Sequence, residues 1–371
     1  MKIKKTHADS VRILFMDTVE ELGSLVKKRL IDNHGLTVDN FIKAELTRFG
    51  NGEGKAILKS SVRNQRFFIV TDVGNRKLTY RAYGKEMSIM PDEHFTDLKR
   101  VISASVGNSR ETNVIQTILY ESRQHKRTGR ESLDCAVALQ EMQNMGVDCV
   151  TTFDAHNADV RQAIPLLSFD NVIPTSTMLE DFIKNENINW GKLIVLSPDE
   201  GAMGRARFYS GMLESDIGMF CKRRDYSKVD EFGKNPIAEH AYLGKEVENG
   251  QYLIVDDLIS SGSSTIEILK KLKTKKADKV WVMTTFGLFT EGVKAFDKAY
   301  KEGLLTRVYC TNFTYVPEEI REKPWFYLVD GSKLLAEYLV QCINNEPITP
   351  ILNGRQKMYE EIHELRENQL K

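Results

Sequence analysis

Several things are scarce in this chain of 371 residues, and each scarcity excludes a class of protein. Net charge is missing: 52 Lys and Arg balance 52 Asp and Glu, so the basic excess of a general nucleic-acid binder is absent. That balance leaves room for a local cationic site for a phosphorylated small molecule. Cysteine is sparse. Cys135, Cys149, Cys221, Cys310 and Cys342 are scattered with no CxxC pair, the pattern of free thiols in a reducing cytosol, so a cytoplasmic protein is expected. No apolar run approaches a membrane span, and the opening MKIKKTHADSVRILF lacks the apolar stretch of a signal peptide. No internal repeat or low-complexity tract is visible. What remains, 41% hydrophobic and 28% charged residues, is the composition of a soluble globular protein, and the length suits two domains.

Short β-rich apolar runs recur at 66–70, 149–153, 192–197, 251–257, 279–286 and 307–313. Amphipathic helical patterns lie between them, for example at 134–146, 264–277 and 332–343. Strands alternating with helices predict an α/β fold with mainly parallel sheets flanked by helices, in both halves of the chain. The prolines of IPLLSFDNVIP place a boundary near 165–175. The expected division is 1–167, 168–345 and a charged helical tail, 346–371. Residues 76–110 are polar and irregular and give no readable element.

The sharpest motif is YLIVDDLISSGSST, residues 252–265. An apolar strand ends in Asp256 and Asp257, a small-residue loop follows, and a helix is expected to begin near Thr265. The strand carries the loop to the carboxyl edge of a sheet, where α/β folds bind ligands. Gly262 and the serines let backbone N–H groups turn inward before a helix N-terminus, which makes a phosphate cradle. Hydroxyls of Ser260, Ser261, Ser263 and Ser264 add donors, with Thr265 at the helix start. The two carboxylates sit where the hydroxyls of a phosphorylated sugar would fall. A bland reading, an exposed turn capped by Asp and Ser, competes with this.

This motif resembles the phosphoribosyl pyrophosphate loop of type I phosphoribosyltransferases and of ribose-phosphate pyrophosphokinases. Those families often carry Asp or Ala where Ser260 stands here. Four further segments resemble the pyrophosphokinase family. In ESRQHKRTGRES (121–132), Arg123 and Gln124 match a pair that contacts ATP, and His125 stands where an acid is common. In VTTFDAHNADVRQAI (150–164), His156 matches a histidine that helps hold an ATP-bound magnesium ion. In LIVLSPDEGAMGRARFYS (193–210), Asp199 matches a second acidic metal site and Arg205 a basic position. In FCKRRDYSKV (220–229), Lys222 and Arg224 match a Lys-x-Arg pair on a catalytic loop. Nearer the N-terminus, Phe49, Asn51 and Glu53 resemble an adenine-binding loop supplied across a subunit interface. Ser61 and Arg63 resemble residues of a regulatory phosphate site.

The resemblance implies two phosphoribosyltransferase-like domains, the first on the ATP side and the second on the ribose 5-phosphate side, with the active site between them. It implies Mg²⁺ as cofactor, a dimer-based homo-oligomer such as a hexamer, and no nucleic-acid or membrane partner. The implied reaction moves the pyrophosphoryl group of ATP to the anomeric hydroxyl of ribose 5-phosphate. Two alternatives stay open: a phosphoribosyltransferase using the same loop, and a catalytically silent regulatory homologue.

Overall fold

The computed structural model describes residues 1–224 and 237–370, with side chains described outside 222–240. It divides into two compact units. The first comprises Met1–Pro174, Asn312–Pro317 and Asp330–Gly354; the second comprises Thr175–Thr311, Glu318–Val329 and Arg355–Lys371. Each is an α/β unit built on one large sheet, as the alternation of apolar runs and amphipathic patterns predicts.

The first unit holds strands β1 (Val11–Phe15), β2 (Phe41–Ile42), β5 (Arg66–Thr71), β8 (Glu111–Gln116), β9 (Cys149–Phe153) and β10 (Ser168–Val172). They form one parallel sheet in the order β10-β9-β8-β5-β1-β2. Apolar side chains of these strands, such as Leu14, Phe67, Ile69, Val114 and Val150, pack against Phe95, Leu98, Val101, Leu139 and Met142 from helices Pro91–Ser105 and Asp134–Asn144. Two hairpins stand apart from the sheet, β3 (Ala44–Arg48) with β4 (Gly54–Leu58), and β6 (Thr79–Ala82) with β7 (Lys85–Ser88). The stretch 76–110, unreadable as sequence, is therefore a hairpin and a 15-residue helix. That helix opens with Pro91 at its first turn, and the Glu93 carboxylate accepts the Met90 N–H at 3.1 Å.

The second unit holds β11 (Leu193–Ser197), β12 (Asp216–Arg224), β13 (Ile237–Gly244), β14 (Gln251–Ile259), β15 (Lys279–Gly287), β16 (Arg307–Thr311) and β17 (Phe326–Val329). Their order is β13-β12-β11-β14-β15-β16-β17, parallel except for the β12–β13 pair. The chain leaves β11 toward β12 on one side and returns to β14 on the other. The carboxyl ends of β11 and β14 therefore flank the point where strand order reverses, the ligand crevice of open α/β sheets. The tail helix Arg355–Leu370 packs on this unit. Its Ile362 is fully buried, the Arg366 guanidinium donates to Glu214 at 2.9 Å, and that guanidinium lies 4.9 Å from the Trp190 ring. Among the described residues no helix is long and apolar enough to cross a membrane.

Candidate active site

Strand β14 runs two residues past the acid pair, to Ile259, and the following helix starts at Ser263, two residues before the expected Thr265. The cradle is thus the short loop Ser260–Gly262, with Ser263, Ser264 and Thr265 in the first turn of a 12-residue helix. Parallel pairing with β15 extends to Ile259, and the Leu288 N–H donates to the Ile259 carbonyl at 2.9 Å, so the loop springs from a fixed base. Gly262 is required twice over. Its φ of +81° lies in the left-handed region, and a Cβ there would sit 2.4 Å from the Phe296 ring. Ser260 and Ser261 are half-buried and Ser263 and Ser264 exposed. The Ser261 and Ser263 hydroxyls lie 3.1 Å apart.

Asp257 is buried and Asp256 half-buried. The Asp257 N–H donates to Asp256 Oδ1 at 2.9 Å. Burial first, and then the neighbouring Asp257 charge, push the Asp256 carboxyl well above the ordinary carboxylate range; the Arg205 guanidinium pulls the other way. Two adjacent acids at least half removed from water resist ionising together, so the pair favours a bound cation or donor hydroxyls.

On the adjacent strand, β11 ends at Ser197, and Asp199 follows in a tight turn. Its Oδ1 accepts the Ala202 N–H at 3.2 Å, just before helix Met203–Leu213. The Ser197 hydroxyl donates to the Asp199 carbonyl at 2.6 Å. A Cβ at Gly201 would lie 3.2 Å from that same Oδ1, a close contact at the glycine of Ser-Pro-Asp-x-Gly. Lys222 and Arg224 belong to the last residues of β12, parallel to β11; their side chains lie outside the described residues.

In the first unit, β8 and β9 are neighbours, and both following loops leave the carboxyl edge of the sheet. Asp154, buried with a φ of +48°, turns the chain directly after β9. The backbone N–H of exposed His156 then donates to the Ser122 hydroxyl in the β8 loop at 2.9 Å. The His156 and His125 rings lie 5.3 Å apart. Gln124 Nε2 donates to the Ser132 carbonyl at 2.8 Å, and Arg123 is exposed on the same loop. The structure therefore brings Arg123, Gln124 and His156 to one edge.

Phe49, Asn51 and Glu53 form the tip of the β3–β4 hairpin instead. Phe49 is 48% exposed, a high value for a phenylalanine. Asn51 Nδ2 donates to Glu53 Oε2 at 3.0 Å, and the Glu53 N–H donates back to Asn51 Oδ1 at 3.2 Å. The hairpin is rooted by Arg48, whose guanidinium donates two hydrogen bonds to the buried Asp97. Breaking such a buried pair costs about 3–5 kcal/mol, so the tip is held rather than loose. Arg63 donates to Asn108 at 3.0 Å, and its N–H donates to the Ser61 hydroxyl at 3.2 Å.

A buried polar group went unnoticed in the sequence. Asp72, just past β5, accepts from the Thr314 hydroxyl at 3.1 Å, the Tyr315 N–H at 2.9 Å and the Gly74 N–H at 2.8 Å. Burial pushes its carboxyl up to about 7 against the pull of these donors. The signal was present: FFIVTD repeats the apolar-strand-then-acid pattern of LIVDD.

A parallel sheet whose reversal point carries an acid pair and a glycine-pinned anion loop defines a protein of phosphoribosyltransferase fold. Comparison with known proteins agrees. Residues 11–146 match the N-terminal domain of ribose phosphate pyrophosphokinase, and residues 177–306 match the phosphoribosyl transferase domain. A Mycoplasma pneumoniae ribose-phosphate pyrophosphokinase is 28% identical, over 91% of this chain and 94% of its own length. Ribose-phosphate pyrophosphokinase 3 of Saccharomyces cerevisiae is 26% identical over 92% and 97% respectively. The crystal structure of phosphoribosylpyrophosphate synthetase from Mycobacterium smegmatis matches the fold with a TM-score of 0.74 at 17% identity, covering 91% of this chain and 99% of that one. The chain belongs to the ribose-phosphate pyrophosphokinase family.

Proposed function

We propose that this chain transfers the pyrophosphoryl group of ATP to the anomeric hydroxyl of ribose 5-phosphate, giving phosphoribosyl pyrophosphate and AMP. One observation carries the reading: the acid pair and the Gly262 cradle stand at the reversal point of the second sheet, where a phosphorylated sugar can be held at both ends. Backbone N–H groups and hydroxyls of 260–265 take the 5-phosphate. Asp256 and Asp257 accept from ring hydroxyls. On the first unit, Arg123 and Gln124 contact ATP, while the hairpin tip of a neighbouring copy supplies Phe49 to stack on adenine and Asn51 and Glu53 to meet its exocyclic amine.

His156 and Asp199 are the residues assigned to Mg²⁺. Asp199 offers the carboxylate oxygen a hard cation prefers, and the exposed imidazole suits contact beside phosphate oxygens. Held by either residue, Mg²⁺ would neutralise charge on the phosphates. Lys222 and Arg224 stabilise the charge that develops as the anomeric oxygen attacks the β-phosphorus in line, a step whose catalysis is chiefly positioning and electrostatics. A dimer-based oligomer and a cytoplasmic location complete the reading.

The test is chromatography of a mixture of protein, ATP, ribose 5-phosphate and Mg²⁺. AMP should form, and only with the sugar phosphate present. ADP in its place would indicate an ordinary kinase and sink the pyrophosphoryl assignment. No nucleotide turnover at all would leave the regulatory homologue.

A further inference from the structure

Tyr83 has no part in the mechanism above, yet it occupies a poor place for a tyrosine. The β6–β7 hairpin closes through the two-residue loop Tyr83–Gly84, whose φ values are +49° and +74°. Two positive values make a type I′ turn, whose first position suits Asn, Asp or Gly; a bulky side chain there is held in costly backbone. Burial does not offset that cost, because Tyr83 is 80% exposed. What holds the turn is a contact with the other hairpin of the first unit: the Tyr83 N–H donates to the Gly50 carbonyl at 2.9 Å. Gly50 lies between Phe49 and Asn51, inside the β3–β4 tip. The hairpins also meet further back, where the Arg48 guanidinium lies 5.2 Å from the Tyr80 ring and the Tyr80 hydroxyl donates to Glu93 at 2.7 Å. The β6–β7 hairpin thus carries a second exposed aromatic residue to the side of Phe49.

We propose that Tyr83 is a further base-reading residue, whose ring packs on the purine that the Phe49–Glu53 tip receives. The inference rests on the reading of that tip as adenine-binding. A purine offers two apolar faces and a polar edge. Phe49 covers one face and the Asn51–Glu53 pair meets the edge, so a second aromatic ring at the tip removes more of the base from water. The backbone supports the same reading. A chain that keeps a strained, unburied tyrosine where asparagine would fold more easily has a use for the ring outside its own packing. The hydrogen bond to Gly50 fixes where that ring is presented, so base and tip are met together.

The experiment measures, by calorimetry on the full chain, binding of a non-hydrolysable ATP analogue and of inorganic tripolyphosphate, which shares the phosphates and lacks the base. Tyr83→Asn creates the preferred Asn-Gly turn, so its urea midpoint should stay level or rise. Its affinity for the analogue should nevertheless fall roughly 5–100-fold, the range that stacking one base is worth, with tripolyphosphate binding unchanged. Tyr83→Phe, which keeps the ring, should bind the analogue nearly as the parent does. Full analogue affinity in Tyr83→Asn, or an equal loss for both ligands, overturns the base contact. So does a smaller assembly in sedimentation, which would show the ring packing on the protein surface of a second copy. Phe49→Ala is measured alongside. Loss of analogue binding there but not in Tyr83→Asn refutes Tyr83 and leaves the adenine reading of the tip. Loss in Tyr83→Asn but not in Phe49→Ala refutes the stacking of Phe49 and leaves Tyr83, and loss in neither refutes both.

Discussion

Replacing Gly262 with Ala tests whether the 260–265 loop is a phosphate cradle or an ordinary turn. Two costs follow from the geometry. A residue with a side chain held at φ +81° costs about 1–2 kcal/mol relative to glycine. The added methyl would also lie 2.4 and 2.6 Å from Phe296 Cε2 and Cζ, closer than carbon atoms approach. Phe296 has nowhere to go. It is fully buried, stacked on Trp325 with centroids 5.4 Å apart and edge-on to Phe289 at 5.3 Å. Overpacking of this kind costs about 1–3 kcal/mol. Because the aromatic cluster is fixed from behind, the loop must yield and carry its N–H groups off target. Losing one charge-assisted hydrogen bond, worth about 1.5–3 kcal/mol, lowers affinity roughly 10–100-fold. Urea unfolding should thus show a loss of about 2–5 kcal/mol, and calorimetry should show ribose 5-phosphate binding weakened at least tenfold while the ATP analogue binds nearly as before. A folded variant with unchanged sugar-phosphate affinity would refute the cradle, whatever happens to stability.

Asp257→Asn should weaken ribose 5-phosphate by roughly 10–100-fold, because the amide offers a donor where a carboxylate accepted from hydroxyls; full affinity in a folded variant would remove the acid pair from the site. Lys222→Ala and Arg224→Ala should each lower kcat by about 10²–10³-fold with ATP binding little changed, and near-normal turnover would place the pair on the solvated surface. Asp72 binds its proton more tightly folded, up to about 7, than unfolded, near 3.8, so its contribution to stability falls as pH rises through that window. Asp72→Asn should flatten the decline in urea stability between pH 4.5 and 7.5, and an identical slope in both proteins would show that Asp72 does not titrate there.

Period and punctuation made much of the architecture readable. The strands at 66–70, 149–153, 192–197, 279–286 and 307–313 appear within a few residues of where their apolar runs stand. Residues 76–110 were missed because only the three- and four-residue spacing of Phe95, Leu98, Val101 and Ile102 marks the helix there, behind a hairpin of mostly exposed residues. Nor could periodicity tell which sheet covers an apolar face. Helix Ser332–Asn344 was legible as a helix, yet nothing in its pattern said that Tyr338 would reach Thr151 and Asp170 of the first unit, at 2.6 and 2.7 Å. In the site, the loop after β14 was legible because glycine, serine and acid each have a distinct backbone use. The Asn51–Glu53 pair and the His125–His156 contact were not, since they depend on side-chain directions that spacing alone leaves open.

The two sheets use the same physics at their reversal points and reach different ends. In the first unit the chain passes from β1 to β2 on one side and to β5 on the other, so the carboxyl ends of β1 and β5 flank the crevice. That crevice is filled from within. Thr18 after β1 bonds Thr71 at 3.0 Å and accepts the Asp72 N–H at 3.1 Å, while Asp72 takes Thr314, Tyr315 and Gly74. A carboxylate with its lone pairs engaged by its own chain has little capacity left for sugar hydroxyls. In the second unit the matching place between β11 and β14 holds Asp256, raised by burial and by its neighbour, and hydroxyls that remain half-buried or exposed. The first unit's candidate residues accordingly stand two strands further along, after β8 and β9, where Glu121 and Asp154 adopt left-handed backbone at φ +52° and +48°. Such conformations cost free energy and persist where the surroundings fix them, often at functional sites. Among the described residues, Asp72 and its donors thus fill the reversal point of the first sheet, whereas the reversal point of the second carries the acid pair and the Gly262 loop.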